Sequence, residues 1–321
     1  AHREQQLAGY LAIVVVVPLC KRLPAIVVVA YATCNRFTAN WVRRFWKRAE
    51  ALAERFITPK LGPFEGHGSD GDQRRAREQW IDMDVPPSTP GRFGLNAPGF
   101  TMSARREGRN ISGIHAQDPR HNLGKGYGHF DSAVRQLQPG EGSLAMHEHI
   151  RTVFATFSLE EHGLSWSVVH ARDQDRMNKE GPARSCSLKP QACLRKLIAG
   201  PAADERLERP WPQMKGSLEY LSMLSRYLRI FFSKTASFEE RIRHAAFVVG
   251  FLRRWRGWLR KGTHTLNLGE NFLPVQTYRH LVLSCFSAAL KIAAHAERGS
   301  SYELDLSRSG SNECENVFSL G

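Results

Sequence analysis

The chain has little that binds metal through thiols, spans a membrane or cradles a nucleotide. None of its six cysteines, at 20, 34, 186, 193, 285 and 314, forms a CxxC pair, and Cys186 and Cys193 are separated by six residues, outside the usual zinc spacings. Reduced, mostly buried thiols in a cytosolic or nuclear protein are the expectation. The apolar stretch from Leu7 to Ala32 is cut by Lys21-Arg22 and Pro24 into pieces of about 14 and 9 residues, short of the roughly 18–20 that a spanning helix needs. No basic segment leads into a small-residue cleavage site, which disfavours a signal peptide. Gly124-Lys125-Gly126-Tyr127-Gly128 fits neither GxxxxGK(S/T) nor GxGxxG, and His147-Glu148-His149 has Arg151 where HExxH requires histidine. No repeat of 20–50 residues is evident.

Acidic charge is also scarce. Lys plus Arg outnumber Asp plus Glu by 45 to 31, a net charge of +14. A surplus of that size favours a polyanionic partner, nucleic acid before membrane, although a solvated basic face has the same composition. With 321 residues, 42% of them hydrophobic and 10% aromatic, the chain can bury one large core or two ordinary ones. It starts at Ala1 and stops in mid-pattern at Phe318-Ser319-Leu320-Gly321, which reads as a fragment of a longer product.

Strand signals are concentrated in the first third. Residues 11–19 and 25–32 are short, valine-rich runs and read as adjacent buried strands, covered on both faces as in the central sheet of an α/β domain. Thr38 can cap a helix to about Phe56, in which Trp41, Phe45, Ala49, Leu52 and Phe56 form one apolar stripe. Phe64 to Gly68 reads as a further short strand, followed by Ser69-Asp70-Gly71-Asp72 and a helix beginning at Gln73. Residues 85–110, rich in Pro, Gly, Ser and Arg, read as loop, and 111–116 as a strand. From 144 onward the period is helical, over 144–158, 187–199, 214–233, 237–260 and 274–297, with Phe247, Phe251, Trp255 and Trp258 as a core-facing stripe.

Four places carry candidate chemistry, and each has a plainer reading. Asp70, with Asp72 two residues on, follows a strand and precedes a helix, where a carboxylate can hold a metal; an Asp-Gly turn with Asp72 as helix cap explains the same residues. Glu315 is either a metal-binding carboxylate in the first turn of a helix or the end of a capping box begun by Asn312. His121 and Lys125 are either nucleic-acid contacts or packed structural residues. The Arg- and Trp-rich helix with Arg253, Arg254 and Arg256 either holds a nucleic-acid backbone or packs with solvated arginines; Arg74 and Arg75 add positive charge just after Asp72.

The order of these pieces resembles the P-element-type transposases, eukaryotic cut-and-paste enzymes related to the THAP-domain transposases. Asp118-Pro119-Arg120-His121-Asn122-Leu123-Gly124-Lys125 is similar to that family's Asp-Pro-Pro-His-Leu-Leu-Lys landmark. Asp175-Arg176-Met177-Asn178-Lys179, with Ala183 and Ser187, resembles the helix start that follows it. Phe272-Leu273-Pro274-Val275-Gln276-Thr277 resembles its Ser-x-Gln-Thr segment, and Ser311 to Ser319 its Gln-Asp-x-x-Glu-x-Phe-Phe helix. Arg120 replaces a proline, Gly124 interrupts the Leu-Lys pair, and Asn312 stands where the family has Asp.

The resemblance implies an α/β fold: an RNase H-like mixed sheet interrupted by a helical insertion, with core at 1–143, insertion at 144–270 and return to the core at 271–321. It implies a DDE-type DNA transposase that cleaves phosphodiesters and transfers strands with two Mg2+ or Mn2+ ions about 3.5–4 Å apart. Asp70 takes the place of the second acid and Glu315 of the third, with Asp72 as a nearby metal ligand and Asp118 as second choice. The first acid should precede residue 11, where Glu4 is the only acid; this stretch alone is therefore expected not to cut DNA. Double-stranded DNA, both transposon ends and target, is the expected partner, in the nucleus, with a homo-oligomer admitted and no membrane. Relatives can carry a GTP-binding insertion, but residues 144–270 hold no phosphate loop, so that cofactor is not carried over. The departures at Asn312 and Gly124 also suit a catalytically inactive, transposon-derived DNA-binding protein. A helical protein that is basic only for solubility is the third reading.

Overall fold

The computed structural model describes residues 10–16, 26–33, 39–56, 68–69, 73–108, 110–132, 134–170, 180–262, 265–299 and 303–309. The chain divides into two compact units, one made of residues 1–118 and 290–321, the other of 119–289. The changeovers fall at Asp118/Pro119 and Ala289/Leu290, whereas the sequence reading puts them at 143/144 and 270/271. No described helix is long and apolar enough to cross a membrane.

The first unit mixes strands and helices. β1 (Tyr10–Val16) and β2 (Ile26–Thr33) pair antiparallel, Tyr10 opposite Thr33, with an irregularity between Val14 and Val15. Whether both faces of this pair are covered concerns side chains outside the described ones. α1 (Ala39–Phe56) follows, within a residue of the predicted helix. It buries Ala49 and Ala53, while Phe56 is 56% exposed, so the expected stripe stops short of its last member. β3 (Gly68–Ser69) leads by way of Asp70-Gly71-Asp72 to α2 (Gln73–Met83).

The expected loop at 85–110 is instead a sheet. β4 (Arg92–Ala97) and β5 (Phe100–Glu107) form a hairpin in which Ala97 faces Phe100, and β6 (Asn110–Ser112) pairs with β5. The turn is Pro98-Gly99, with Gly99 at φ +72; proline presets the first central position and glycine alone takes the second cheaply. Phe100, Met102 and Ala104 point to the core at the two-residue period of a strand. The predicted strand at 111–116 is broken by Gly113 into β6 and β7 (Ala116–Gln117). β7 pairs parallel with β3.

The second unit is mainly helical. It opens with α3 (Pro119–Phe130), a helix the sequence reading leaves unassigned; Pro119 suits a first helical position, where its missing N–H costs nothing. β8 (Leu137–Gly140) and β9 (Ser143–Ala145) pair antiparallel, so helix begins only with α4 (Glu148–Thr156) rather than at 144. Three short helices follow, α5 (Leu159–His162), α6 (Trp166–Val169) and α7 (Glu180–Ser185), then α8 (Leu188–Ala199), α9 (Lys215–Phe232), α10 (Phe238–Lys261), α11 (Leu268–Asn271) and α12 (Val275–Arg298). α12 runs past Ala289, so its last residues count with the first unit. Ser237 and Glu240 close a reciprocal capping box at the start of α10.

The core of this unit is apolar and ring-rich. Tyr220, Leu221, Leu224, Tyr227 and Ile230 of α9, Val248, Val249 and Leu252 of α10, and Leu281, Val282 and Phe286 of α12 are fully buried. Phe130 stacks on Tyr220 at 5.8 Å, and Trp255 meets Phe272 edge to face at 4.6 Å. Such pairs add about 0.5–1.5 kcal/mol beyond the area they bury. Cys186, Cys193 and Cys285 are buried free thiols, and burial raises the pKa of each.

Candidate functional site

Two strands of two residues each set the geometry. In the parallel pair, Gly68 faces Ala116 and Ser69 faces Gln117. In sequence, Asp70 follows Ser69 and Asp118 follows Gln117, so an acid comes directly after the carboxyl end of each neighbouring strand. That end of a parallel sheet is where open α/β folds place their chemistry. Asp118 is only 4% exposed. Asp70, Asp72 and Glu315 lie outside the described residues, as do residues 175–179 of the second family-like segment. Arg74 and Arg75 belong to the first turn of α2, and their side chains lie outside the description. Among the described residues, no group of three or more His, Cys, Asp or Glu is placed to hold a metal ion.

A polar network that no motif announces ties α2 to the strand carrying Asp118. Gln117 donates from its amide to the Gln79 side chain, both buried. His115 Nε2 lies 2.8 Å from Asp82 Oδ2, Arg92 donates to Asp82 Oδ1 at 3.3 Å, and Arg105 Nε stands 3.6 Å from the same carboxylate. Arg105 also reaches Glu50 of α1 at 3.5 Å. Burial pushes the Asp82 pKa up; the His115 hydrogen bond and the charges of His115, Arg105 and Arg92 outweigh it and bring it down to about 2. Gly113, at φ +74, lets the chain pass over this cluster: a Cβ there would stand 3.0 Å from Arg105 Nε and 3.1 Å from Asp82 Oδ2.

In the second unit, the landmark segment is helix. Along α3 and α12, His129 meets Thr277 Oγ1 at 3.1 Å, and Asn122 donates to Ser284 Oγ at 3.0 Å. Between these contacts lies His280, fully buried, with neither ring nitrogen hydrogen-bonded. Burial, then the charges of Lys125 and His121, lower its pKa to about 4. Burial, then Arg135 and Lys125, do the same to His129.

The basic helix divides its arginines by role. The Arg253 guanidinium lies 5.6 Å over the ring of Phe286, and that of Arg256 5.0 Å over Tyr278. Arg254 is exposed and lines an open cleft of about 590 Å3 with Arg195, Glu219, Phe247, Phe251 and Trp258. Trp255 is the buried member of the predicted stripe, at 2% exposed; Phe247, Phe251 and Trp258 are half-buried at the cleft. His147 and His149 serve separate neighbours, Asp131 at 3.2 Å and Ser217 at 2.7 Å.

No family model matches the chain, and no curated protein matches it. Its fold is similar to that of a solved structure described as the Drosophila P element transposase strand transfer complex, with a TM-score of 0.61 at 12% identity. The likeness covers 94% of this chain and 62% of that one, so the chain spans less than two thirds of the transposase it is compared with.

Proposed function

We propose that this chain is part of a DDE-type transposase core, an RNase H-like sheet interrupted by helices, that cuts and rejoins double-stranded DNA in the nucleus. The observation that carries the reading is the parallel strand pair whose facing ends, Ser69 and Gln117, are each followed in sequence by an aspartate. The fold likeness and the net charge of +14 support it.

Asp70 and Glu315 are the residues that would hold Mg2+ or Mn2+, with Asp72 beside Asp70 and Asp118 as the second choice. The donor set fits such ions, being carboxylate oxygen throughout. Bound there, the metal supplies an activated water and stabilises the leaving oxygen. The protein's own part is positional. The Gln79–Gln117 and Asp82–His115 bonds hold the end of β7 against α2. Arg74, Arg75, Lys125 and Arg254 offer charge to DNA phosphates, while Arg253 and Arg256 are drawn onto aromatic rings.

Metal-dependent nicking of supercoiled plasmid by the intact protein tests this. Asp70→Asn and Glu315→Gln are each expected to lower cleavage at least about a hundredfold while leaving duplex binding in place. Nicking that survives Asp70→Asn unchanged removes Asp70 from the site. Salt-dependent duplex binding by an intact protein that cleaves no substrate favours the inactive DNA-binding alternative.

A further inference from the structure

We propose that the cleft lined by α8, α9 and α10 binds single-stranded DNA, with unpaired bases against the Phe247, Phe251 and Trp258 rings and phosphates on Arg195 and Arg254. The proposal rests on the reading of the chain as a DNA-acting protein and adds an unpaired strand to the duplex of that reading. The cleft, of about 590 Å3, lies wholly within the helical unit. Its rings stop short of the core. Phe247, Phe251 and Trp258 of α10 are half-buried where they line it. Trp255, on the same helix, shows the ordinary fate of such a ring: it is 2% exposed and meets Phe272 at 4.6 Å. The Phe247 and Phe251 rings are nearly parallel, with 18° between their planes and 6.3 Å between their centroids. Exposed ring faces of this kind are stacking platforms for other flat groups.

Positive charge stands beside the rings. Arg195 of α8 and Arg254 of α10 are exposed at the cleft, and among the described residues neither makes an ion pair or a hydrogen bond. Glu219, the acid in the lining, lies 3.8 Å from Lys215. At the Phe247 end, the Arg226 guanidinium lies 4.0 Å over that ring, so guanidinium groups and rings are interleaved.

The combination selects the partner. A duplex keeps its base faces stacked inside and offers only edges and phosphates, which leaves rings in a cleft unused. An acidic peptide would engage the arginines and also leave the rings unused. An unpaired strand engages both, because every base has a face that stacks and every link has a phosphate for a guanidinium. From Phe247 to Trp258 the helix rises about 16 Å. At roughly 3.4 Å per stacked nucleotide that length takes about four or five nucleotides, more than a single mononucleotide fills.

Fluorescence anisotropy with the full chain and a labelled oligothymidine of about ten nucleotides tests the proposal. Phe251→Leu keeps an apolar side chain and removes the stacking face. It is expected to lower affinity for the strand about tenfold and to leave affinity for a duplex unchanged, with the thermal midpoint confirming that the variant folds. With the wild-type chain, an abasic strand of the same length is expected to bind at least about tenfold more weakly than the oligothymidine. Arg195→Gln, an exposed change, should reduce the slope of log strand affinity against log salt by about 0.7. Wild-type strand affinity in folded Phe251→Leu overturns the proposal, and so does equal binding of the abasic strand. Displacement of the strand by an equal concentration of free mononucleotide assigns the cleft to that smaller ligand and overturns it too. Duplex binding without strand binding overturns it while leaving the DNA-acting reading intact. A chain that binds neither overturns that reading itself.

Discussion

The helical unit is held by hydrocarbon and rings: Tyr220 of α9 meets Trp255 of α10, and Trp255 meets Phe272 just before α12. Its connected ion pairs, Glu161 and Asp204 with Lys196 and Arg206, lie towards its surface, and the buried His280 has no hydrogen bond on its ring. Among the described residues of the strand-bearing unit, the buried apolar side chains include Met83, Phe100, Met102, Ala104, Ile111 and Ile114. There the elements are joined by a connected set of polar side chains, Gln79 to Gln117 and Asp82 to His115, Arg92 and Arg105. Burial of area tolerates small displacements of the parts. A hydrogen-bonded network does not, because bond geometry is specific. The unit in which Asp118 follows the end of β7 uses the second kind of joint.

Substitutions separate the two joints by size of effect. Trp255→Ala removes the ring at the centre of the aromatic chain and is expected to cost about 3–5 kcal/mol in denaturant unfolding. Asp82→Asn weakens a charge-assisted network and is expected to cost about 1.5–3 kcal/mol. If both changes cost the same, the contrast between the units fails.

Acid distinguishes them by where each gives way. His129, His149 and His280 have folded pKa values lowered from 6.5 to about 4, in each case chiefly by burial. Between those values the unfolded chain binds more protons, so stability present above pH 6.5 is lost as pH falls towards 4. Asp82 is lowered from 3.8 to about 2, so its share is retained until pH 3.8 and lost only below that. Monitored at pH 5, tryptophan fluorescence of Trp255 should report loosening before exchange of the β4–β5 amides does. The reverse order breaks the assignment. The smallest effect is a gain: Gly124→Ala is expected to raise stability by about 0.5–1 kcal/mol in thermal unfolding.

Legibility in the sequence follows the same division. α1, α8, α9, α10 and α12 begin and end within about two residues of their predicted bounds, because a helix that buries one face writes its period into the chain. The β4–β5 hairpin is missed because Pro, Gly and Arg dominate it; only Phe100, Met102 and Ala104, at every second position, carry its signal. α3 is hidden by its three glycines, and Pro119 reads as a stop although it suits the first helical turn. Of the candidate site, Asp118 is found at a strand end, whereas the Asp82–His115 pair joins residues 33 apart in sequence and is created only by the fold.

The capping box at Ser237 opens a helix whose inward stripe is Ala245, Val248, Val249, Leu252, Trp255 and Leu259. Each residue turns an α-helix by about 100°, so the stripe has a rotational phase as well as a composition. An extra residue before Ser237 falls in a connection and leaves that phase alone. The same insertion after Gly250 turns everything beyond it by about 100° and sets charged Arg254 in the place filled by Trp255. The helix therefore divides insertions into silent and ruinous ones at a boundary that no individual side chain marks.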